Sequence, residues 1–340
     1  MAKAPVAALR GDRVEVADAA EANRLYNRHA VGAPRPGNSL ELSLVEAAWC
    51  AEAGRLEVQD GPVALGLAQL LERGARGGGR TEVDFLAYRD LRERGLVVRH
   101  DEGGGPGAFS VWPRGEGPPK PAWFALRVRA ERDPVPVAEL AQWAAARCVV
   151  GVVDEDGGVT YYQAAPEEPG GEVAEGALPP ATGTLLDDRV LVDDEVAAAA
   201  YSEREATGTR VGGRLVLSFV EAEALRRRGV LSVSSEVTAR ARAQQPHFER
   251  TLPVHLDLRL RGAVPKSGLK FGTHLRAYRG DPDREHAEWL VHCAAAGDVL
   301  HWSELARAVR LAHGVRKTFL VAAVGDGGRV EYVALSWFRP

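Results

Sequence analysis

With 340 residues, 45% apolar and 26% charged, the chain has ordinary globular composition and enough length for two or more cored domains. A net charge of −4 excludes a nucleic-acid partner held by overall charge, so any RNA binding must come from local basic patches. No apolar run reaches membrane-spanning length and the N-terminal MAKAPVAALRGDR lacks the apolar core of a secretory signal, so a soluble cytoplasmic protein is expected.

Read in chain order, the sequence is written twice. Gly11 to Val14 (GDRV), Leu42 to Ala47 (LSLVEA), Gly54-x-Leu56-x-Val58 and Asp90-Leu-Arg92-x-Arg94-Gly95 come in that order. Asp187 to Val190 (DDRV), Leu217 to Ala222 (LSFVEA), Gly229-x-Leu231-x-Val233 and Asp257-Leu-Arg259-x-Arg261-Gly262 answer them. Four matching blocks in one order indicate an internal duplication far longer in period than a solenoid repeat. The acidic, Pro/Gly-rich stretch from Ala165 to Pro180 reads as the linker between the copies. Each copy divides again in polar sequence near 74–82 and near 240–252. Residues 1–80 and 182–248 are thus read as small N-terminal α/β modules, 81–165 and 249–340 as larger α/β modules, and 166–181 as the linker. In the third module a strand at Arg189 to Val192 and an amphipathic helix from Ser218 to Arg228, stopped by Gly229, are expected.

The last module is the most legible. His255 to Arg261 reads as the end of a helix stopped by Gly262, and Phe271 to Arg279 as a strand. Ala287, Trp289, Val291 and Cys293 alternate with His286, Glu288, Leu290 and His292, the period of a strand. Ser303 is a plausible N-cap for a helix whose apolar residues Leu305, Ala308, Val309 and Ala312 recur at helical spacing, ended by Gly314. Thr318 to Val324 and Arg329 to Trp337 read as strands of a hairpin around Gly325 to Gly328. If the first two strands pair as a hairpin, Tyr278 and His286 lie at one end of the sheet. A strand, helix, strand crossover makes the strands after His286 and Lys317 parallel, so their starts share an end. Topology then gathers Tyr278, His286 and Lys317 at one rim.

A phenol, an imidazole and an ammonium with no accompanying acids suit metal-free cleavage of RNA, in which the ribose 2′-OH attacks its own phosphate. The reaction needs a base for the 2′ proton, an acid for the leaving 5′ oxygen and a cation for the charge on the phosphorane. Taken singly, Tyr278 is more often a half-buried packing residue, His286 more often a structural or surface histidine, and Lys317 can be a solvated charge at a strand start. Cys50, Cys148 and Cys293 form no CxxC pair and are expected as buried free thiols, and His274, His292, His301 and His313 lack metal-ligand spacing.

These residues resemble those of the archaeal tRNA-splicing endonucleases, in particular the duplicated form that works as a homodimer. The likeness rests on Gly268 to Tyr278 (GLKFGTHLRAY), on His286-Ala-x-x-Leu-Val291, on Leu305 to Lys317 (LARAVRLAHGVRK) and on Tyr332-x-x-Leu-x-Trp337. It implies that Tyr278 is the general base, His286 the general acid and Lys317 the stabiliser of the transition state, with no cofactor and no metal. It implies precursor tRNA as substrate, cut at both bulges of a bulge-helix-bulge to leave 2′,3′-cyclic phosphate and 5′-OH ends, which a separate RNA ligase joins. The implied fold is α/β (α+β), with catalytic-type modules like a restriction endonuclease. An unstacked base would be clamped between Arg310 and Trp337, the latter a departure from the Arg known in some members. Lys266, Lys270, Arg276 and Arg279 are generic phosphate contacts.

Copy one departs from this pattern where chemistry would need it. Phe109 to Trp112 aligns with Leu275 to Tyr278 and Pro121-Ala122 with His286-Ala287, and no lysine follows the helix near Ala146-Arg147. What it keeps is Asp154, Glu155 and Asp156 in a hairpin loop, which the resemblance implies docks in a basic pocket of the opposing chain. One active site per chain and two cuts per intron imply a two-fold homodimer. Two other readings remain, a metal-dependent nuclease on a related fold and a noncatalytic RNA-binding subunit. The first would want a (D/E)xK arrangement, whereas Val315-Arg316 precede Lys317.

Overall fold

A computed structural model describes residues 4–101, 105 and 107–340, so Met1 to Lys3, where the segment read for a signal begins, lie outside the described residues. The chain is mixed α/β and forms two compact units, one of residues 1–133, 146–163 and 338–340, the other of 134–145 and 164–337. Among the described residues no helix is long and apolar enough to cross a membrane. Cys50, Cys148 and Cys293 are buried free thiols.

Each unit holds a small α/β module built on the same local rules. In the first unit Asp18 caps the helix Ala19–His29 by accepting from the Glu21 amide at 2.9 Å, and Ala30 ends it in a left-handed turn at φ 51°. Ser43 and Glu46 form a capping box for Leu44–Glu52, and the second oxygen of buried Glu46 accepts from the Gly32 amide at 2.9 Å. The second unit repeats this with Asp194 capping Glu195–Glu205, Ala206 at φ 52°, and a Ser218/Glu221 box whose carboxylate reaches the Gly208 amide at 3.0 Å. Gly208 must be glycine, because its φ is +75° and a Cβ would meet Leu215 at 2.7 Å. The helix from Ser218 is found as Phe219–Arg227, whereas Glu195–Glu205 escaped the sequence reading: its run of alanines favours a helix without marking an apolar stripe.

The larger module of the second unit is a sheet in the order Val264–Ser267, Leu275–Tyr278, Trp289–Ala295, Thr318–Val324 and Val330–Phe338. All neighbours are antiparallel except Trp289–Ala295 and Thr318–Val324, which run parallel around the crossover helix Trp302–Gly314. Val254 and Leu258 of the helix Phe248–Leu260 bury one face against Leu275, Ala277, Trp289, Val291, Leu320 and Tyr332. Gly262, at φ +77°, ends that helix as read. In copy one the strands Val97–His100, Ala108–Trp112, Phe124–Ala130, Val149–Val153 and Val159–Glu167 follow the same order and directions.

Three details differ from expectation. The strand read as Phe271 to Arg279 shortens to Leu275–Tyr278, because Leu269–Phe271 is a 3-10 turn closed by Gly272 at φ 65°. The edge strand Val264–Ser267 was not foreseen; Pro265 argues against a central strand and is tolerated at an edge. The crossover helix starts at Trp302 with His301 rather than Ser303 at its N-cap, since the short strand Val299–His301 runs directly into it and Trp302 is buried in the first turn.

The segment between the copies is tied down. The amide of Gly171 donates to Arg261 O at 2.9 Å, that of Glu172 to Arg279 O at 2.7 Å and that of Val173 to Gly262 O at 2.9 Å. Gly176 adds a bond to the buried carboxylate of Glu205 at 2.9 Å. A Cβ at Gly171 would lie 2.3 Å from Gly262 O and 2.4 Å from Arg279 O, so only glycine lets the segment approach so closely.

Candidate active site

Sheet register aligns the expected residues. Ala277 is paired with Trp289 and Trp289 with Thr318, so one step further Tyr278, Glu288 and Lys317 share a row. Bonds from Glu288 N to Ala277 O (3.0 Å) and from Thr318 N to Glu288 O (2.9 Å) fix that row. Phe319 pairs with Leu335, which carries Trp337 to the same row on the next strand. His286, two residues before Glu288, lies just outside the strand and is exposed.

Ala287 joins the three groups. Its side chain packs in a small cluster with the ring of Tyr278 and with Val264, against which Val173 of the inter-copy segment also packs. Its carbonyl accepts from Lys317 Nζ at 2.6 Å. Lys317 reaches this point because Arg316 takes a left-handed turn at φ 54° after the crossover helix, and the Lys317 amide closes that turn on Ala312 O at 2.9 Å.

The surroundings are cationic. The Arg276 guanidinium lies 5.6 Å over the Tyr278 ring, and Lys317 Nζ 5.8 Å over the ring of Phe271, which Lys270 Nζ also faces at 5.1 Å. Partial burial, then Lys270, then Arg276, lower the Lys317 ammonium below the usual lysine range. The geometry therefore offers a buried phenol packed against Ala287 and Val264, an accessible imidazole and an ammonium bonded to a neutral carbonyl.

The other expected contacts differ in their surroundings. Arg310 is exposed on the crossover helix, and Trp337, 46% exposed, meets His313 of that helix edge to face at 5.7 Å. Lys270 is exposed. Arg279 is engaged in an ion pair with Glu288 that would have to open before it met a phosphate. Lys266 is not a surface phosphate contact: its ammonium bonds Glu221 at 2.9 Å and Gly208 O at 3.0 Å, fastening the small module to the large one within the second unit. That pairing, with the capping-box bonds, holds the buried Glu221 carboxyl far down despite desolvation. Arg99 makes the corresponding bond to Gly32 O in the first unit.

Copy one has the same frame with other side chains. Val111 pairs with Phe124 as Ala277 does with Trp289, and Trp123 N donates to Val111 O at 2.7 Å, so Trp112 stands where Tyr278 does and Pro121 where His286 does. Leu126 pairs with Val149 as Val291 does with Leu320, which puts Ala146 at the position of Lys317. In the loop after Val149–Val153, Asp154 accepts from the amides of Asp156 (3.1 Å) and Gly158 (2.8 Å), and Glu155 pairs with Arg132. Two of the three acids thus shape or brace the loop, and Asp156 is exposed.

Residues 6–71 and 181–241 each match the family described as tRNA intron endonuclease, N-terminal domain, and residues 248–332 match tRNA intron endonuclease, catalytic C-terminal domain. The tRNA-splicing endonuclease of Methanococcoides burtonii is 35% identical over 335 residues, covering 92% of this chain and 93% of its own. That of Haloferax volcanii is 35% identical over 340 residues, with 93% and 95% covered, and that of Natronomonas pharaonis 38% over 341 residues, with 93% and 95% covered. The class is that of the endoribonucleases. Within it, the chain belongs to the tRNA intron endonuclease family.

Proposed function

We propose that the chain excises introns from precursor tRNA, cutting at bulge-helix-bulge motifs by attack of the ribose 2′-OH on its own phosphate. Tyr278 takes the 2′ proton, His286 protonates the departing 5′ oxygen and Lys317 meets the charge that develops on the phosphorane. The products carry 2′,3′-cyclic phosphate and 5′-OH ends, classing the reaction as a lyase, and a separate ligase joins them. The observation that carries this reading is the sharing of Ala287 by Tyr278 and Lys317 directly beside exposed His286, in one copy only.

Tyr278, buried and packed against Ala287 and Val264, acts through its positioning. Arg310 and Trp337 clamp an unstacked base, and Lys270, Arg276 and Arg279 line the path of the backbone. One site per chain and two cuts per intron call for a homodimer, with Asp154, Glu155 and Asp156 docking on the partner. Charge reversal at Asp156 that leaves dimer mass and RNA cleavage intact would remove the docking role.

The test is incubation with an intron-containing precursor tRNA in excess chelator, followed by end-group analysis. Cyclic phosphate ends, and their loss in His286→Ala, are expected. Cleavage that requires added metal, or that leaves 3′-OH ends, would overturn the mechanism.

A further inference from the structure

The sheet face beneath the crossover helix carries a second polar feature. Leu275 pairs with Val291, so His274 and His292 are neighbours one step beyond, four residues from Tyr278 and about 13 Å along the strand. Their rings meet edge to face at 4.6 Å, and the ring of His247 meets His274 at 4.5 Å. The three imidazoles open on a cavity of about 680 Å³, of a size suited to small molecules. Leu305, Ala308, Leu311 and Phe319 give it an apolar side, while Lys270 and Arg307 give it cations. Phe271, whose ring faces both Lys270 and Lys317, forms the wall toward the active row.

The chemistry of His274 excludes the obvious ligand. Its Nδ1 accepts the Cys293 amide at 2.9 Å, so the neutral ring carries its proton on Nε2. Binding a metal there would strip that proton from a ring that already accepts at its other nitrogen, the reverse of the usual arrangement in which the second nitrogen donates. Among the described residues no group of His, Cys, Asp and Glu is arranged to hold a metal ion. His274 is instead a fixed donor. Of the charges around it, Arg250 is neutralised by Asp298 at 3.0 Å, which leaves Lys270, Arg307 and Glu304 lining the cavity, with His247 and His292 beside it.

We propose that this cavity is a nucleotide subsite, receiving one unstacked nucleotide of the RNA strand that crosses Lys317. The base lies against Phe319, Leu311 and the imidazoles, its phosphate faces Lys270 and Arg307, and His274 Nε2–H donates to a base or phosphate oxygen. Arg310 is not part of the cavity lining, so this pocket is separate from the base clamp. The inference rests on the nuclease reading above.

The test pairs abasic substitutions near the cut with pocket variants, measuring affinity for a precursor RNA made uncleavable by 2′-deoxy substitution at the scissile nucleotide. One abasic position should weaken wild-type binding about 10-fold, the scale of one lost base stack. It should cost nothing further in Ala308→Phe, which fills the cavity, or in His274→Leu. His274→Gln, whose carbonyl can take the Cys293 amide while its NH2 faces the cavity, should restore the penalty. Equal abasic penalties in wild type and in both Ala308→Phe and His274→Leu would overturn the subsite. Tyr278→Phe should block cleavage yet keep the wild-type penalty, so the two readings fail separately. If the wild type binds no precursor tRNA, the functional reading falls and titration with uridine monophosphate decides the pocket: imidazole signals of His274 and His292 that move in wild type but not in Ala308→Phe support it, and unmoved signals sink it.

Discussion

Lys317 closes a 2.6 Å hydrogen bond on the carbonyl of Ala287, the residue directly after His286. The same side chain proposed to meet the transition-state charge thus also holds the segment that carries the proposed acid. Lys317→Ala should lower the single-turnover rate about 10²- to 10³-fold, the scale of one lost electrostatic donor. Lys317→Arg should recover part of it, because a cation returns but the bond to Ala287 is strained. Equal rates for the two variants would deny the double role.

The Lys317 ammonium loses its proton as pH rises through a value pulled below the ordinary lysine range, first by burial and then by Lys270 and Arg276. The alkaline limb of the rate profile should therefore lie below that range. Removing one like charge in Lys270→Ala should move the limb to higher pH, whatever it does to RNA affinity. A limb that stays put would assign it to another group.

His286→Ala and Tyr278→Phe are each expected to cut the rate by about 10²- to 10⁴-fold. His286 is exposed, so its loss should leave the melting temperature unchanged, which thermal denaturation would check. Pro121→Ala, at the matching place in copy one, should leave the cleavage rate at the wild-type value.

The inter-copy segment reaches the active row through Val173, which packs against the cluster of Tyr278, and through Glu172, which bonds the residue after Tyr278. Gly171→Val would press a side chain into two carbonyl oxygens and should cost about 1–3 kcal/mol of stability in chemical denaturation. The milder Val173→Ala should keep RNA affinity while lowering the chemical step, as expected of a residue that acts by placing the phenol.

Burial, then His292 and His247, push the His274 imidazole down to about 4. Between that value and the ordinary 6.5 the unfolded chain binds more protons than the native one. Stability should fall as pH drops through this window, by about 1 kcal/mol from His274 after allowance for its partial exposure. Glu223, held at about 2 by Arg226, Arg227 and Thr238 against its own burial, adds a loss that begins only below its ordinary 4.5. Urea titrations at pH 7 and pH 5 would show the first step, and His274→Gln should shrink it, leaving the part that buried His255 and His292 contribute in the same direction.

The sequence exposed the rim because two strand starts and one strand end lie beside strong apolar alternation: Trp289, Val291 and Cys293 on one side of Glu288, Phe319 and Val321 after Lys317. It showed copy one as bare at the rim for the same reason, since Pro121 and Trp112 sit at readable places in an equal frame. What stayed hidden depends on groups far apart in the chain. Lys266 looked like a phosphate contact until its partner Glu221 was seen, and the imidazoles of His247, His274 and His292 lacked any regular spacing because they come from a helix end, a loop and a strand. The edge strand at Pro265 was obscured by proline chemistry that is harmless only at an edge.

The backbone bonds from Gly171, Glu172 and Val173 settle where the polypeptide can be severed for producing its halves from separate genes. A break placed after Val173, at the apparent midpoint of the connecting stretch, would leave the strut on the wrong fragment and the tyrosine half without its underpinning. A break before Gly171 sends the strut along with the half it supports.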